Sequence, residues 1–158
     1  MMNSDMHRLI EDKGLPSFAS DRLASFDHSV YFERKSSTRT GTVYLNAVIG
    51  TSHGDYAGYS WLDLLPTDYR THAEEEHRNR TINGLQGRLK RGWAGLKELH
   101  ANPDYYLSRC HKNHLGFYKM GADYYIVEGN HRVVLGRFLL SLNSLPEKMH
   151  GVSVTEFI

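Results

Sequence analysis

Five consecutive residues in the C-terminal part of the chain, Glu128-Gly129-Asn130-His131-Arg132, are of types that bind phosphate. They follow an apolar run that predicts a strand, and they precede apolar residues at helical spacing. The first amide groups of a helix have no partner within the helix, and the helix dipole places positive potential there. A glycine at this junction lets the backbone approach a ligand closely. The pattern therefore predicts a phosphate-binding site where the strand passes into the helix.

The charged side chains of this motif have separate roles in such chemistry. His131 and Arg132 fall in the first helical turn, where a cation is unfavourable by up to ~1 kcal/mol unless an anion offsets it. Arginine can also bind two phosphate oxygens through parallel hydrogen bonds. Glu128, at the end of the strand, could hold Mg²⁺ or orient a water molecule for attack on phosphorus. The alternative interpretation is a tight turn with a capped helix and a surface ion pair.

A second group of candidates lies in the middle of the chain, where Arg88, Lys90 and Arg91 precede Trp93. Closely spaced cations can follow a nucleic-acid backbone, and an aromatic ring beside them can stack on a base. The alternative is a solvated helix face that the acidic residues 74–76 balance. Another basic cluster, within residues 34–41, is predicted to be a loop that either moves freely in solvent or closes over phosphate.

The sequence lacks the motifs of several other catalytic, nucleotide-binding and metal-binding classes. The sequence contains neither Gly-x-x-x-x-Gly-Lys-[Ser/Thr] nor Gly-x-Gly-x-x-Gly, and no serine stands in a Gly-x-Ser-x-Gly elbow. It has 10 histidines but no His-Glu-x-x-His motif and no Cys-x-x-Cys pair, so we expect no structural zinc. Cys110 is the one cysteine, which excludes an intramolecular disulfide.

The hydrophobic pattern predicts the elements that position the motif. Apolar residues at helical spacing predict helices over residues 4–13, 21–33, 68–91 and 133–142. Runs of β-prone residues predict strands over residues 42–45, 117–120, 124–127 and 152–157. The second and third strands are separated by a Gly-containing turn and therefore form a hairpin. The order of elements predicts an α+β fold with a small mixed β-sheet surrounded by helices, in which residues 1–40 form a helical extension and residues 116–158 carry the motif.

Length and composition narrow the class of protein. The 158 residues are 40% hydrophobic and 23% charged, which is typical of a single globular domain. The formal net charge of +1 excludes a polycation that coats nucleic acid. No apolar stretch approaches the ~20 residues of a membrane span, and the N-terminal residues do not match a secretory signal. We therefore expect one domain over residues 1–158, located in the cytoplasm and without a membrane partner.

Residues 124–133, followed by a helix and by the strand 152–156, resemble the ParB/sulfiredoxin superfamily. The signature of that superfamily is a hydrophobic strand, an acidic residue, Gly, one variable residue, His or Arg, and Arg, and then a helix. Residues 42–51 resemble its early strand-and-helix step more weakly. The resemblance implies a ParB/sulfiredoxin-like fold in which residues 129–132 contact nucleotide phosphates and Glu128 is the acidic catalytic or metal residue.

The superfamily includes partition CTPases, sulfiredoxins, free serine kinases, ParB-like nucleases and a plasmid-borne oncogenic-suppression and fertility-inhibition protein described as an ATPase and DNase. Asn130 stands where sulfiredoxins have their reactive cysteine, and Cys110 lies well before the motif. Reduction of cysteine sulfinic acid is therefore not expected, because no thiolate is placed to attack. Partition proteins carry a helix-turn-helix DNA module after the motif; none is recognised here, so operator binding of that kind is not expected.

The leading hypothesis is a nucleotide-dependent phosphoryl-transfer or hydrolysis enzyme that binds ATP with Mg²⁺ and has DNA cleavage as a related activity. In it Glu128, His131 and Arg132 are the catalytic residues. His131 and Arg132 neutralise charge on the phosphates, because electrostatic stabilisation is the main contribution a protein makes to phosphoryl transfer, and Glu128 positions the metal or the attacking water. Two alternatives stay open. One is a non-catalytic plasmid- or phage-encoded inhibitor that uses a degenerate ParB-like domain to block a protein target, and the other is a DNA-binding protein without chemistry.

Overall fold

A mixed six-stranded β-sheet with α-helices packed against it organises the protein. The computed structural model describes residues 2–65 and 102–158. The α-helices of these residues are α1 (Met6–Lys13), α2 (Val30–Glu33) and α3 (Asn130–Leu142). The strands are β1 (Ala24–Ser25), β2 (Ser36–Tyr44), β3 (Val48–Thr51), β4 (Gly116–Met120), β5 (Asp123–Glu128) and β6 (Lys148–Phe157). Short 3-10 turns cover Ser17–Ser20, Leu45–Ala47 and Pro103–Tyr106.

The strands lie in the order β1-β3-β5-β4-β6-β2. β1, β3 and β5 run parallel to one another, and β4 turns back antiparallel to β5. β6 is parallel to β4, and β2 pairs antiparallel with β6 at the edge of the sheet. The carboxyl ends of β3 and β5 therefore meet at one edge of the sheet, where α3 begins directly after β5. This mixture of parallel and antiparallel strands with packed helices confirms the expected α+β class.

α3 is the central element of the main hydrophobic core. It packs between the sheet, α1 and the segment that follows β3, so its buried positions extend around most of its circumference. The buried apolar residues of α3 are Val133, Val134, Leu135, Phe138, Leu139, Leu140 and Leu142. A smaller cluster covers the other face of the sheet and consists of Phe26, Val30, Tyr118 and Phe157.

Arg137 is a buried charge within this core. Its guanidinium lies 3.9 Å from the ring centre of Phe18 and 4.5 Å from that of Trp61. Its Nε donates a hydrogen bond to the Glu147 carboxylate at 2.8 Å. The buried charge is thus paired and hydrogen-bonded, as burial of an ion requires, and it also lies against two aromatic rings.

Most of the elements predicted from local pattern are confirmed. The first helix ends at Gly14, whose φ of 78° closes it, and the hairpin, α3 and β6 stand where the pattern predicts them. The helix expected over residues 68–91, with Arg88, Lys90 and Arg91, lies outside the described residues. Among the described residues no helix combines the length and the apolar character needed to span a bilayer.

Two predictions for the N-terminal third are wrong. Residues 21–33 are not one helix: Leu23 N donates to Tyr59 O and Phe26 N to Thr51 O, so the backbone is satisfied by neighbouring segments instead of by helical bonds. The basic run 34–41, predicted to be a loop, mostly forms β2, because β6 supplies a complete antiparallel partner. The region predicted as a helical extension thus contributes β1 and most of β2 to the central sheet.

Candidate functional site

The start of α3 has the backbone geometry that the sequence predicts for a phosphate site. Gly129 is in the left-handed region, with φ 79° and ψ 36°, and no described side chain caps the helix start. A Cβ on Gly129 would lie 2.5 Å from Leu115 Cδ1 and 3.1 Å from the His114 carbonyl oxygen. Glycine is therefore required here both by the torsion angle and by the space. The first amide groups of α3 keep their hydrogen-bonding capacity for a ligand or for water.

The end of β3 is joined to the start of α3 by buried polar side chains. The Thr51 hydroxyl donates to Asn130 Oδ1 at 2.8 Å, and the main-chain N–H of His53 donates to Thr51 Oγ1 at 3.1 Å. Thr51 is fully buried, and 7% of Asn130 is exposed. Because Thr51 faces Ile126 in the parallel register of β3 and β5, these bonds hold the two strand ends at a fixed separation. The Asn130 side chain is therefore used inside the fold.

Aromatic and imidazole rings stand beside the helix start. The His53 ring tilts against Tyr56 with 4.3 Å between ring centres, and Tyr56 meets His131 edge to face at 5.4 Å. Tyr56 is buried, whereas His53 and His131 are partly exposed. An imidazole has at least one N–H donor in either protonation state, so the two histidines can donate to an anion bound at this corner.

Arg132 does not point freely toward solvent. Its Nη1 donates to the Tyr105 hydroxyl at 3.1 Å and to the Asn113 carbonyl at 3.0 Å, and its Nη2 donates to the His114 carbonyl. His114 has a positive φ of 56°, which is uncommon for a residue with a side chain. The guanidinium thus holds a strained turn in place. The expected grip of this side chain on phosphate stays a prediction, and it requires some of these bonds to be exchanged.

Glu128 is exposed and lies where the β4–β5 ladder changes register. Phe117 faces Ile126, whereas the next residue along, Gly116, faces Glu128, so β5 has one extra residue at its end. Burial raises the pKa of Tyr118, and its hydrogen bond to Tyr31 (2.5 Å between the hydroxyl oxygens) and the charge of Glu128 raise it further.

The described residues do not assemble a resident Mg²⁺ site. Across residues 2–65 and 102–158, no three His, Cys, Asp or Glu side chains come together in a way that could hold a metal ion. Mg²⁺ takes six oxygen ligands and is commonly bound by one or two carboxylates together with the phosphates of a substrate. Glu128 supplies one exposed carboxylate, which does not suffice for an ion held by the protein alone.

A scan against protein-family models finds no match, and searches of curated proteins and of solved structures find no similar protein. The resemblance to the ParB/sulfiredoxin superfamily accordingly stays a prediction from the motif. The structure does bring the motif residues to one corner of the sheet, and residues 42–51, the weaker resemblance, end at Thr51 beside them.

Sequence reasoning missed three residues of this corner, Thr51, His53 and Tyr56. Thr51 stands at the end of a short β-prone run, and two residues later comes His53, in a stretch rich in Gly, Ser and Asp. Polar residues directly after a strand are the signal that could have found them, because ligands bind outside the carboxyl ends of parallel strands. That signal becomes usable only once β3 is known to lie beside β5.

Proposed function

We propose that the corner formed by the end of β3, the end of β5 and the start of α3 binds the phosphate groups of a nucleotide, with ATP as the expected nucleotide. The observation that carries this proposal is the uncapped start of α3 after a left-handed Gly129. Such a helix start is an anion-binding site by its geometry and its dipole. Its position outside the carboxyl ends of two parallel strands is the usual one for ligands of open sheets.

The proposed activity is nucleotide hydrolysis or phosphoryl transfer. The main-chain N–H groups at the start of α3 would neutralise charge on the phosphates, and the imidazoles of His53 and His131 would donate from the side. Glu128 would orient the attacking water molecule. Mg²⁺ enters this proposal only as the counterion of the nucleotide, and DNA cleavage is a related activity of the same site. The proposed fold is the ParB/sulfiredoxin-like one, which the sequence from hairpin to helix to final strand supports.

A non-catalytic inhibitor or interaction protein is the second candidate. It is favoured by the way the polar side chains of the motif are used: Asn130 bonds to Thr51, and Arg132 bonds to Tyr105 and to two carbonyl groups. A domain that keeps the motif for folding alone would use these side chains in this way. DNA binding without chemistry rests on Arg88, Lys90 and Arg91, which lie outside the described residues.

The test compares two variants that carry the same change of charge. Asn130→Asp still accepts the hydrogen bond of Thr51 and suits the helix dipole, but its carboxylate adds a negative charge next to the first amides of α3, which would repel a bound phosphate. Asn46→Asp makes the same change at an exposed position near the opposite end of β3. We expect Asn130→Asp to weaken ATP binding about tenfold or more and Asn46→Asp to leave it unchanged, as measured by calorimetry with ATP, CTP and GTP in the presence of Mg²⁺.

Turnover is measured separately from binding. Glu128→Gln keeps the shape of the side chain and removes its charge, so we expect ATP hydrolysis to fall about 100-fold while affinity changes little. Release of phosphate and cleavage of plasmid DNA are followed in the same preparations. Absence of nucleotide binding at millimolar concentration would contradict the proposal and favour the inhibitor. Binding that Asn130→Asp does not weaken would place the nucleotide elsewhere.

A further inference from the structure

β2 forms the outer edge of the sheet among residues 2–65 and 102–158. All residues from 31 to 40 are exposed, and among the described residues no strand pairs with the side of β2 that faces away from β6. Proteins commonly protect an edge strand by covering it or keeping it short, because its unpaired backbone groups are a template for another strand. β2 is nine residues long. A strand of this length has enough unpaired backbone groups to pair with a further strand.

The register shows which backbone groups of β2 point outward. Ile158 N donates to Lys35 O at 2.9 Å, and Ser36 faces Phe157, so Lys35 is in a hydrogen-bonded pair and Ser36 is not. In an antiparallel ladder the two kinds of pair alternate. Thr38 and Thr40 therefore also direct their N–H and C=O groups away from β6. Three residues thus present donors and acceptors at the spacing of a strand.

From Arg34 onward the charges of this edge have one sign, and Glu33, at the end of α2, directly precedes them. Between residues 34 and 44 the chain carries Arg34, Lys35 and Arg39 and no acidic residue. The Arg39 guanidinium lies over Gly41, in space that a side chain at 41 would fill. On the neighbouring strand, Glu156 faces Ser37 and is paired with Lys119 at 3.3 Å. The edge is therefore electrostatically complementary to an acidic segment.

We propose that β2 docks an extended, acidic segment of a partner protein, which adds to the sheet as a further strand. Main-chain bonds to Ser36, Thr38 and Thr40 would supply affinity, and acidic side chains would pair with the basic ones. Phe32 and Ile158, which are 92% and 78% exposed, lie at the start of β2 and provide an apolar contact for one end of the segment. This proposal does not depend on the nucleotide site.

Two other occupants fit the edge less well. A nucleic-acid backbone offers phosphate acceptors but no donors, so the outward carbonyl groups of the three residues would face it unpaired. A second copy of this chain would bring its own Arg34, Lys35 and Arg39 to the same edge, and like charges on paired strands are destabilising. An acidic peptide satisfies both the alternating donors and acceptors and the charge.

The test uses a fluorescein-labelled ten-residue peptide of alternating glutamate and valine, with a lysine–valine peptide for comparison, in fluorescence anisotropy on the full chain. Thr38→Pro removes an outward N–H group without breaking the β2–β6 ladder, and Pro is tolerated on edge strands in that orientation. Thr38→Val keeps the N–H group and loses only the hydroxyl that bonds to Thr155. We expect the acidic peptide alone to bind, Thr38→Pro to weaken it about tenfold, and Thr38→Val to change it less than about threefold.

Charge reversal provides a second variant in case Thr38→Pro does not fold. Arg39→Glu should weaken the acidic peptide about tenfold and strengthen the lysine–valine peptide. Failure of the acidic peptide to bind would overturn the proposal, as would equal binding of both peptides. So would tighter binding of a single-stranded oligonucleotide that Thr38→Pro leaves unchanged, or a dimer in sedimentation velocity that Thr38→Pro dissociates.

Discussion

The hydroxyl of Thr51 and the side-chain oxygen of Asn130 are 2.8 Å apart, and this hydrogen bond ties the end of β3 to the first residue of α3. Both residues are buried, so water cannot replace either partner. The bond therefore sets the position of the helix start relative to the sheet. Any ligand that binds the first amides of α3 depends on it.

Thr51→Val removes this hydroxyl and leaves the shape of the side chain almost unchanged. Three hydrogen bonds of this hydroxyl are lost, those to Asn130 Oδ1 and to the Ile126 carbonyl and the one from the His53 N–H group, so we expect the free energy of unfolding to fall by ~1–3 kcal/mol. Urea denaturation measures the loss. Thr38→Val is the matched control, because the Thr38–Thr155 hydroxyl pair is solvent-accessible and should cost less than ~0.5 kcal/mol. Equal losses in the two variants would contradict the structural role of Thr51.

Arg137→Lys tests whether this buried position needs the planar guanidinium group of arginine or only a positive charge. The guanidinium lies against the rings of Phe18 and Trp61 and donates to Glu147, whereas an ammonium group is a compact point charge without the planar, delocalised face of a guanidinium. We expect a loss of ~1–2 kcal/mol of unfolding free energy. The reverse exchange, Lys119→Arg, affects a more exposed pair with Glu156 and should be nearly neutral. An unchanged free energy of unfolding in Arg137→Lys would show that a positive charge alone is sufficient at this position.

Gly136→Ala should destabilise the protein although alanine favours helices by ~1 kcal/mol over glycine. A Cβ at this position would lie 2.5 Å from Cε1 of Tyr106, which is itself buried. We expect a net loss of ~1–3 kcal/mol from overpacking. In a background of Tyr106→Leu the same change should become neutral or stabilising. A double-mutant cycle by thermal unfolding measures the coupling, and additive effects would mean that the two residues do not meet.

Stability should fall as the pH decreases from about 7 to about 5, partly through His150. Burial lowers the pKa of His150 from its usual 6.5, and the positive charges of Arg109, Lys148 and Lys112 lower it further. The unfolded chain therefore takes up this proton at a higher pH than the folded chain does, so acidification through 6.5 and below favours unfolding. Denaturation across this range is compared for wild type and His150→Gln. The variant should lose less stability, and identical curves would contradict the assignment.

The elements that could be predicted from the sequence are those made by local contacts. Gly121 has a φ of 61°, which fits the turn of the β4–β5 hairpin, and Gly14 closes α1 in the same way. α3 was predictable because its apolar residues recur at helical spacing and its first turn directly continues β5. β1 and the first part of β2 could not be predicted, because each owes its form to a partner strand distant in the sequence, whereas the last residues of β2 fall within the predicted strand 42–45.

The residues of the candidate site divide in the same way into those that the local sequence predicts and those that it does not. Gly129 and the helix start follow from the motif itself, whereas Thr51 and His53 join it through the parallel pairing of β3 with β5, which no local pattern encodes. The direction of the Arg132 side chain was not predictable either. Its acceptors are the carbonyl groups of residues 113 and 114, which adopt their conformation only in the assembled fold.

The pairing of β2 with β6 determines when the outer edge of the sheet can form during translation. Thr38 and Thr155, which face each other in this ladder, are 117 residues apart in the chain. During translation β2 leaves the ribosome long before its partner exists, and loop closure over such a distance is slow. The nascent chain therefore exposes this basic segment until β6 emerges. Its three cations would disfavour pairing with the same segment of another nascent chain, because like charges on paired strands are destabilising.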